Sequence, residues 1–221
     1  MSEAGAHPAP GGIKMALSQP HSNVILLKIA GHYVGRPLLL ELLSGLLADG
    51  CRGSGIHLCH AESSPETYAY LPATAVGEAD AQAEINRMQA ALSSAFDDAQ
   101  VVLLQATQGI PGASKHASAQ WHYVVETDVQ PEAEGDFNDW YANEHLPGLA
   151  SVPGTILAAR LHNAHGRPRY HALYLLETRD TFGSPAWLAV RATDWSSRVR
   201  PNFTNTKRTM FRIVPNASEQ G

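Results

Sequence analysis

The chain has 221 residues, of which 44% are hydrophobic and 17% charged, with a formal net charge of -5. That composition suits one large domain or two of roughly 100 residues each, excludes wholesale disorder, and offers none of the basic surface that a nucleic acid requires. No run approaches the ~20 consecutive apolar residues of a membrane helix, since the longest leucine-rich stretch, Leu38 to Leu47, is short and carries Glu41.

Residues 1–20, rich in Ala, Gly, Pro and Ser, lack the basic start and apolar centre of a signal peptide and read as a flexible tail. Cys51 and Cys59 have neither metal-type nor disulfide-framework spacing, so a reduced, cytoplasmic protein is the expectation. Val24 to Ala30 is a compact apolar run, predicted as a strand. Pro37 to Asp49 is a leucine-dense helix, with Pro37 in its first turn and Gly50 at its end. Gly55 to Ala61 and Tyr68 to Val76 read as strands, the latter interrupted by Pro72. In Ala81 to Asp97, Ile85, Met88, Leu92 and Phe96 recur at three and four, which is an amphipathic helix. Val101 to Thr107 closes this unit as a strand, and Gln108 to Ser118, with its glycines and Pro111, reads as a linker.

The same order then repeats. Trp121 to Asp128 is a strand, and Asp136 to Leu146 a helix with Asp136 as its N-cap. Pro153-Gly154 turns into the strand Ile156 to His162, which forms a hairpin with Tyr170 to Glu177. Ser184-Pro185 opens a helix whose Leu188, Ala192, Trp195 and Val199 form one stripe, and Arg208 to Val214 is the last strand. The chain is therefore read as α+β, with two tandem ferredoxin-like βαββαβ modules at residues 21–108 and 119–215, a linker at 109–118 and a C-terminal tail at 216–221. Several strands are apolar at successive positions, so both sheet faces must be buried. The predicted solution is pairing of the two four-stranded sheets face to face in a dimeric α+β barrel arrangement, within the chain or across a homodimer.

On the helix beginning at Asp136, Phe137, Trp140, Tyr141 and Glu144 share a face, and His145 flanks it. A carboxylate buried among rings could serve as acid or base. Pro147 ends the hydrogen-bond ladder, which puts His145 at a helix C-terminus where a protonated imidazole is favoured. His145, Glu144 and Tyr141 are thus the candidate catalytic residues. Trp140, Phe137, Asn138, Arg160 and Trp121 are the candidate substrate-binding ones. The bland alternative makes Trp140 and Tyr141 core, Glu144 a satisfied carboxylate, and His145 a helix cap. Arg160 could steer an anion or pair with a carboxylate, and His162 and His171 could line the same cavity or serve structure. His57, Cys59 and His60 alternate faces along a strand and make a poor metal cage, so neither a metal nor a cofactor is expected.

The string Trp140-Tyr141-Ala142-Asn143-Glu144-His145-Leu146-Pro147, with Val152-Pro153-Gly154 after it, resembles the EthD-like members of the dimeric α+β barrel superfamily. The resemblance covers Gln120 to Pro215, while the first module matches in element order alone. It implies a pocket between sheet and helices for a small apolar or aromatic ligand. The superfamily includes monooxygenases, isomerases, cyclases, haem-dependent enzymes and members without known activity, and fold alone does not choose among them. Three readings follow: a cofactor-independent enzyme acting on an aromatic or polyketide-like molecule by proton transfer or oxygenation, with His145 as the acid or base; a non-catalytic binder or accessory protein of a degradation pathway; and haem handling, which requires a proximal histidine.

Overall fold

Strict alternation decides where each side chain goes. In the first strand, Val24 and Leu26 enter one core cluster while Ile25, Leu27 and Ile29 enter another on the opposite face. The consecutive apolar run is therefore a strand buried on both sides. The structure is a computed structural model that describes residues 16–47, 55–73 and 78–215. Its elements are β1 (Asn23–Ala30), α1 (Arg36–Leu42), β2 (His57–Ala61), β3 (Glu66–Pro72), α2 (Glu78–Ser93), β4 (Gln100–Pro111) and β5 (Trp121–Val129), followed by α3 (Glu134–Trp140), a π-helical turn (Tyr141–His145) and α4 (Leu146–Ala150). Then come β6 (Thr155–His162), β7 (Tyr170–Leu176), α5 (Pro185–Val190), α6 (Asp194–Val199) and β8 (Phe203–Ile213).

The eight strands form one closed antiparallel barrel in the order β1-β3-β2-β8-β5-β7-β6-β4. Taken by halves, β4-β1-β3-β2 and β8-β5-β7-β6 have the same sequence-relative order. Two seams join them: Cys59 to Ala61 pair with Ile213 to Phe211, and Gln105 to Pro111 pair with His162 to Leu157. The expectation of two four-stranded sheets paired face to face is thus corrected in one respect. Their inner faces do meet, in a core that includes Leu26, Tyr68, Leu104, Val124, Leu173 and Phe211, but their edges are also hydrogen-bonded into one continuous sheet. Closure removes the open edges that would otherwise template pairing with other chains. Outside the barrel, α1 and α2 cover the first half and the remaining helices the second.

Several predicted boundaries move. The linker begins as strand, because β4 runs on to Pro111 in order to pair with β6. A Cβ on Gly112 would lie 2.1 Å from the Thr155 carbonyl oxygen, so only glycine allows that approach. The first helix ends at Leu42, followed by turns, and Leu38 is left exposed. Asp49, Gly50, Cys51, Val76 and the 216–221 tail lie outside the described residues. The single helix expected after Ser184 is two short ones, each started by a hydroxyl cap, with Ser184 accepting from the Trp187 N–H and Thr193 from the Ser196 N–H. Leu188, expected on the buried stripe, is exposed. Among the described residues no helix is long and apolar enough to cross a membrane.

The described end of the presumed tail is not free. Residues 16–18 form a helical turn, and Leu17 is fully buried in the barrel core against β4, where a Cβ on Gly109 would meet the Leu17 carbonyl oxygen at 2.3 Å. Leu17→Ala should therefore destabilise the protein by about 2–5 kcal/mol, the range for a leucine removed from a packed core, read as a lower urea midpoint with unchanged slope. A loss below about 0.5 kcal/mol, typical of surface substitutions, would return this segment to the tail.

Candidate functional site

The predicted helix from Asp136 to Leu146 is broken in an informative way. Pro147 has no N–H to donate, and the chain absorbs this by widening one turn at Tyr141–His145 before α4 resumes with Pro147 in its first turn. His145 is consequently inside a helical run rather than at its end. Asp136 lies in the first turn of α3 instead of capping it; its carboxylate pairs with Arg198 (2.9 Å) and accepts from the Trp195 indole N–H (2.8 Å).

The wide turn buries both Tyr141 and His145. The His145 ring stacks on Trp140 at 4.0 Å between centroids and meets Tyr141 edge-on at 5.3 Å. Its Nδ1 is buried without a hydrogen-bond partner among the described residues. Burial, reinforced by the nearby Arg191 and Arg200 charges, lowers the His145 pKa to about 3. The imidazole is therefore neutral at pH 7, which overturns the expectation of a protonated one. Burial also raises the Tyr141 phenol to about 12, partly offset by the Arg160 charge, so it stays a hydrogen-bond donor.

These three side chains line a small cavity of about 20 Å³ between the helical run and the outer face of the barrel, room for little more than a water molecule or a carboxylate. From the barrel come Tyr123 and Val125 on β5 and Tyr174 on β7. Tyr123 and Tyr174 face each other in register and stack at 6.0 Å. Trp187 of α5 closes one side; its indole N–H and the Tyr174 hydroxyl are two further buried polar groups without partners among the described residues.

The other candidates lie elsewhere. Glu144 does not line this cavity: it accepts from the Trp140 indole N–H (3.1 Å) and the Thr193 hydroxyl (2.6 Å), the satisfied carboxylate of the bland alternative. Phe137 is core, packed on Tyr141 and Tyr170. Arg160 pairs with no carboxylate among the described residues. It donates to Asn138 Oδ1 (2.7 Å) and lies 4.6–4.9 Å from the centroids of Phe137, Tyr141 and Tyr170. Arg160, Asn138 and His162 border a separate, open depression between β6 and α3. Trp121, at the start of β5, lies under the Arg212 guanidinium and lines neither. His171 is inside the second half, 3.7 Å from Glu126, and burial lowers its pKa to about 4.

Sequence reasoning missed Tyr123, Tyr174, Trp187 and Arg191, Arg200 and Arg208. The strand period of two from Trp121 signals Tyr123, but nothing local brings Trp187 or the arginines to the same place. It also missed a cluster inside the barrel. His57, Cys59 and His122 place ligand-type atoms within 4.8 Å of one another, with His57 Nε2 and His122 Nδ1 2.8 Å apart, a hydrogen-bond distance between two imidazoles. His60 points to the other face and bonds the Val34 carbonyl, as alternation requires. Haem does not fit at His145. Trp140 covers one face of the ring, and a cavity of about 20 Å³ is far below the ~300–1,000 Å³ that a large ligand occupies.

No protein-family model and no curated protein sequence matches the chain. Among solved structures, a monooxygenase candidate from Fusobacterium nucleatum aligns over 90% of this chain and 95% of its own, with a TM-score of 0.61 at 9% identity. An anthrone oxidase-like protein aligns over 89% and 93%, with a TM-score of 0.60 at 12% identity. A ferredoxin-fold protein from Listeria monocytogenes, related to antibiotic biosynthesis monooxygenases, covers 88% and 96%, with a TM-score of 0.51 at 9% identity. This chain has their fold. It is an α+β fold of the ferredoxin-like kind, with its eight strands closed into one antiparallel barrel.

The His145 pKa has a measurable consequence. As pH falls from 6.5 toward 3, the unfolded imidazole takes up a proton that the folded one refuses, so stability is full above the unfolded value and is lost on the way down. His145→Phe keeps a ring on Trp140 and removes that proton. The decline of unfolding free energy between pH 6.5 and about 3 should become shallower by up to about 1.4 kcal/mol per pH unit, the value of one proton. Equal slopes in urea titrations of the two proteins would mean that His145 titrates normally.

Proposed function

We propose that the chain is an EthD-like protein of two tandem ferredoxin-like modules that takes a small aromatic or polyketide-like compound at the second module, and that it is an enzyme working by proton transfer. The observation that carries this reading is the neutral, buried His145, with an unpartnered Nδ1 in an aromatic-walled cavity. A neutral imidazole can accept a proton from an acidic C–H or O–H. The Tyr141 hydroxyl can hydrogen-bond the oxygen on which charge then develops, and Arg191 and Arg200 lie close enough to depress the His145 pKa and so to stabilise an enolate. Oxygenation of such an enolate by O₂ is the natural next step. The likeness of fold to an anthrone oxidase-like protein and to monooxygenase candidates is consistent with this. A ring seats at the mouth of the site once the half-buried and exposed side chains there, Arg200, Phe203 and Arg208, swing aside; side-chain shifts of this kind are common on binding. A cytoplasmic homodimer, with the exposed Leu38 of α1 at its contact, belongs to the same reading.

The second reading, a non-catalytic binder, is favoured by the same pKa of about 3, because so weak a base abstracts protons slowly until a bound anion raises it. Anthrone separates the two. It carries a C–H activated by its carbonyl, and conversion to anthraquinone consumes one O₂ and releases one water. The enzyme reading expects O₂ uptake with anthrone above the buffer rate, a fall of about 10²–10⁴-fold in His145→Ala, and a smaller fall in Tyr141→Phe. Anthrone bound with no acceleration leaves the binder. No binding of anthrone or other aromatic ketones removes both.

A further inference from the structure

The cavity around His145 is lined by more positive charge than the stabilisation of one enolate oxygen accounts for. Arg191 follows α5, Arg200 follows α6 and Arg208 is on the outer face of β8, opposite Val125; all three line the cavity, and no carboxylate does. Their guanidinium groups form no ion pair or hydrogen bond among the described residues. The chain does not lack acids, having 21 Asp and Glu against 16 Lys and Arg, and Arg167, Arg169, Arg179 and Arg198 each pair with one. Three cations from three separate elements instead converge where they repel one another. Arg200 is pushed below the ordinary arginine range by burial and then by the Arg191 and Arg208 charges.

Two buried donors belong to side chains that line the same cavity. Tyr174 is 1% exposed and Trp187 fully buried, and neither the hydroxyl nor the indole N–H has an acceptor among the described residues. Buried donors are nearly always bonded, and each exception asks for an acceptor. Uncompensated cations beside unpaired donors, in a space of about 20 Å³, form a receptor for a compact group that is all acceptor and negatively charged.

We infer that this cavity is an anion site, built on Arg191, Arg200 and Arg208 with Tyr174 and Trp187 as neutral donors, and that the ligand is an aromatic carboxylate whose carboxylate enters the cavity while its ring lies at the mouth. The inference rests on the proposed aromatic ligand and adds the charge that selects it. Bidentate guanidinium–carboxylate pairing supplies the specificity. The arrangement is stable without ligand only at the expense of charge repulsion, so the bound anion also stabilises the fold.

Benzoate and its neutral counterpart benzamide test this on the full chain at low ionic strength, followed by calorimetry and by the fluorescence of Trp140 and Trp187, with inorganic phosphate as a ring-free anion. The expected result is benzoate binding at least tenfold tighter than benzamide, an affinity that falls with added NaCl for benzoate only, and a melting temperature raised by benzoate. In Arg191→Gln/Arg200→Gln, benzoate should fall to the level of benzamide while the unliganded protein melts no lower than wild type. Arg167→Gln, whose arginine pairs with Asp128 away from the cavity, should bind as wild type does. Equal binding of benzoate and benzamide, or benzoate affinity untouched in the double variant, overturns the anion site and leaves the aromatic pocket standing. Phosphate binding without benzoate binding supports the anion site and removes the aromatic ligand. If none of the three binds, both readings fall. The salt dependence needs no variant, so a double variant that failed to fold would still leave the inference decided.

Discussion

Closure of the barrel is the constraint on which the rest depends. Once β2 pairs with β8 and β4 with β6, every strand has two neighbours, and each side chain points either into the barrel or out toward the helices. Register then has consequences at a distance, because a one-residue slip would exchange the two sets. In β5 it sends His122, Val124 and Glu126 inward and Tyr123 and Val125 outward. Opposite them it sets Tyr174 against Tyr123 and Arg208 against Val125. The floor of the cavity is a by-product of how the sheet closes.

The roof depends on one local irregularity. A regular helix through Pro147 would leave a hydrogen bond unmade, and just before it the run widens into a π turn at Tyr141–His145, in which both of these residues are buried. Trp140 then serves twice, stacking on His145 and donating its indole N–H to Glu144. Glu144 in turn accepts from Thr193, the cap of α6, so the helix bearing the candidate base is tied to the segment leading to Arg200. Glu144 positions the neighbouring elements rather than facing the cavity.

Much of the fold was legible because it is written in local periodicity. Strand alternation, the Ser184-Pro185 start and the repeated element order need no long-range information. Apolar runs on β1 and β7 correctly implied two buried faces. The seams were not legible, since pairing of Gln108 with Arg160 or of Ala61 with Phe211 leaves no local trace, and a stretch rich in Gly and Pro reads as linker even where it pairs as strand. Leu17 was hidden for the same reason, as one leucine in a low-complexity segment looks like tail. At the site, spacing put Phe137, Trp140, Tyr141 and Glu144 on one helical face with His145 at its flank, but ideal helical geometry misplaced Glu144 and could not foresee the π turn. The three arginines meet only through tertiary structure, so no motif announced them.

The account turns on a histidine held neutral by burial and by flanking arginines. Long-range ¹H–¹⁵N correlation of the histidine side chains, assigned through His145→Phe and followed from pH 8 to pH 4, reads that protonation state directly. The structure predicts that the His145 nitrogens keep the shifts of a neutral ring down to about pH 4, consistent with a pKa of about 3. A His145 titration centred near the ordinary value of 6.5 would contradict it, because the ring would then be solvated rather than buried against Trp140.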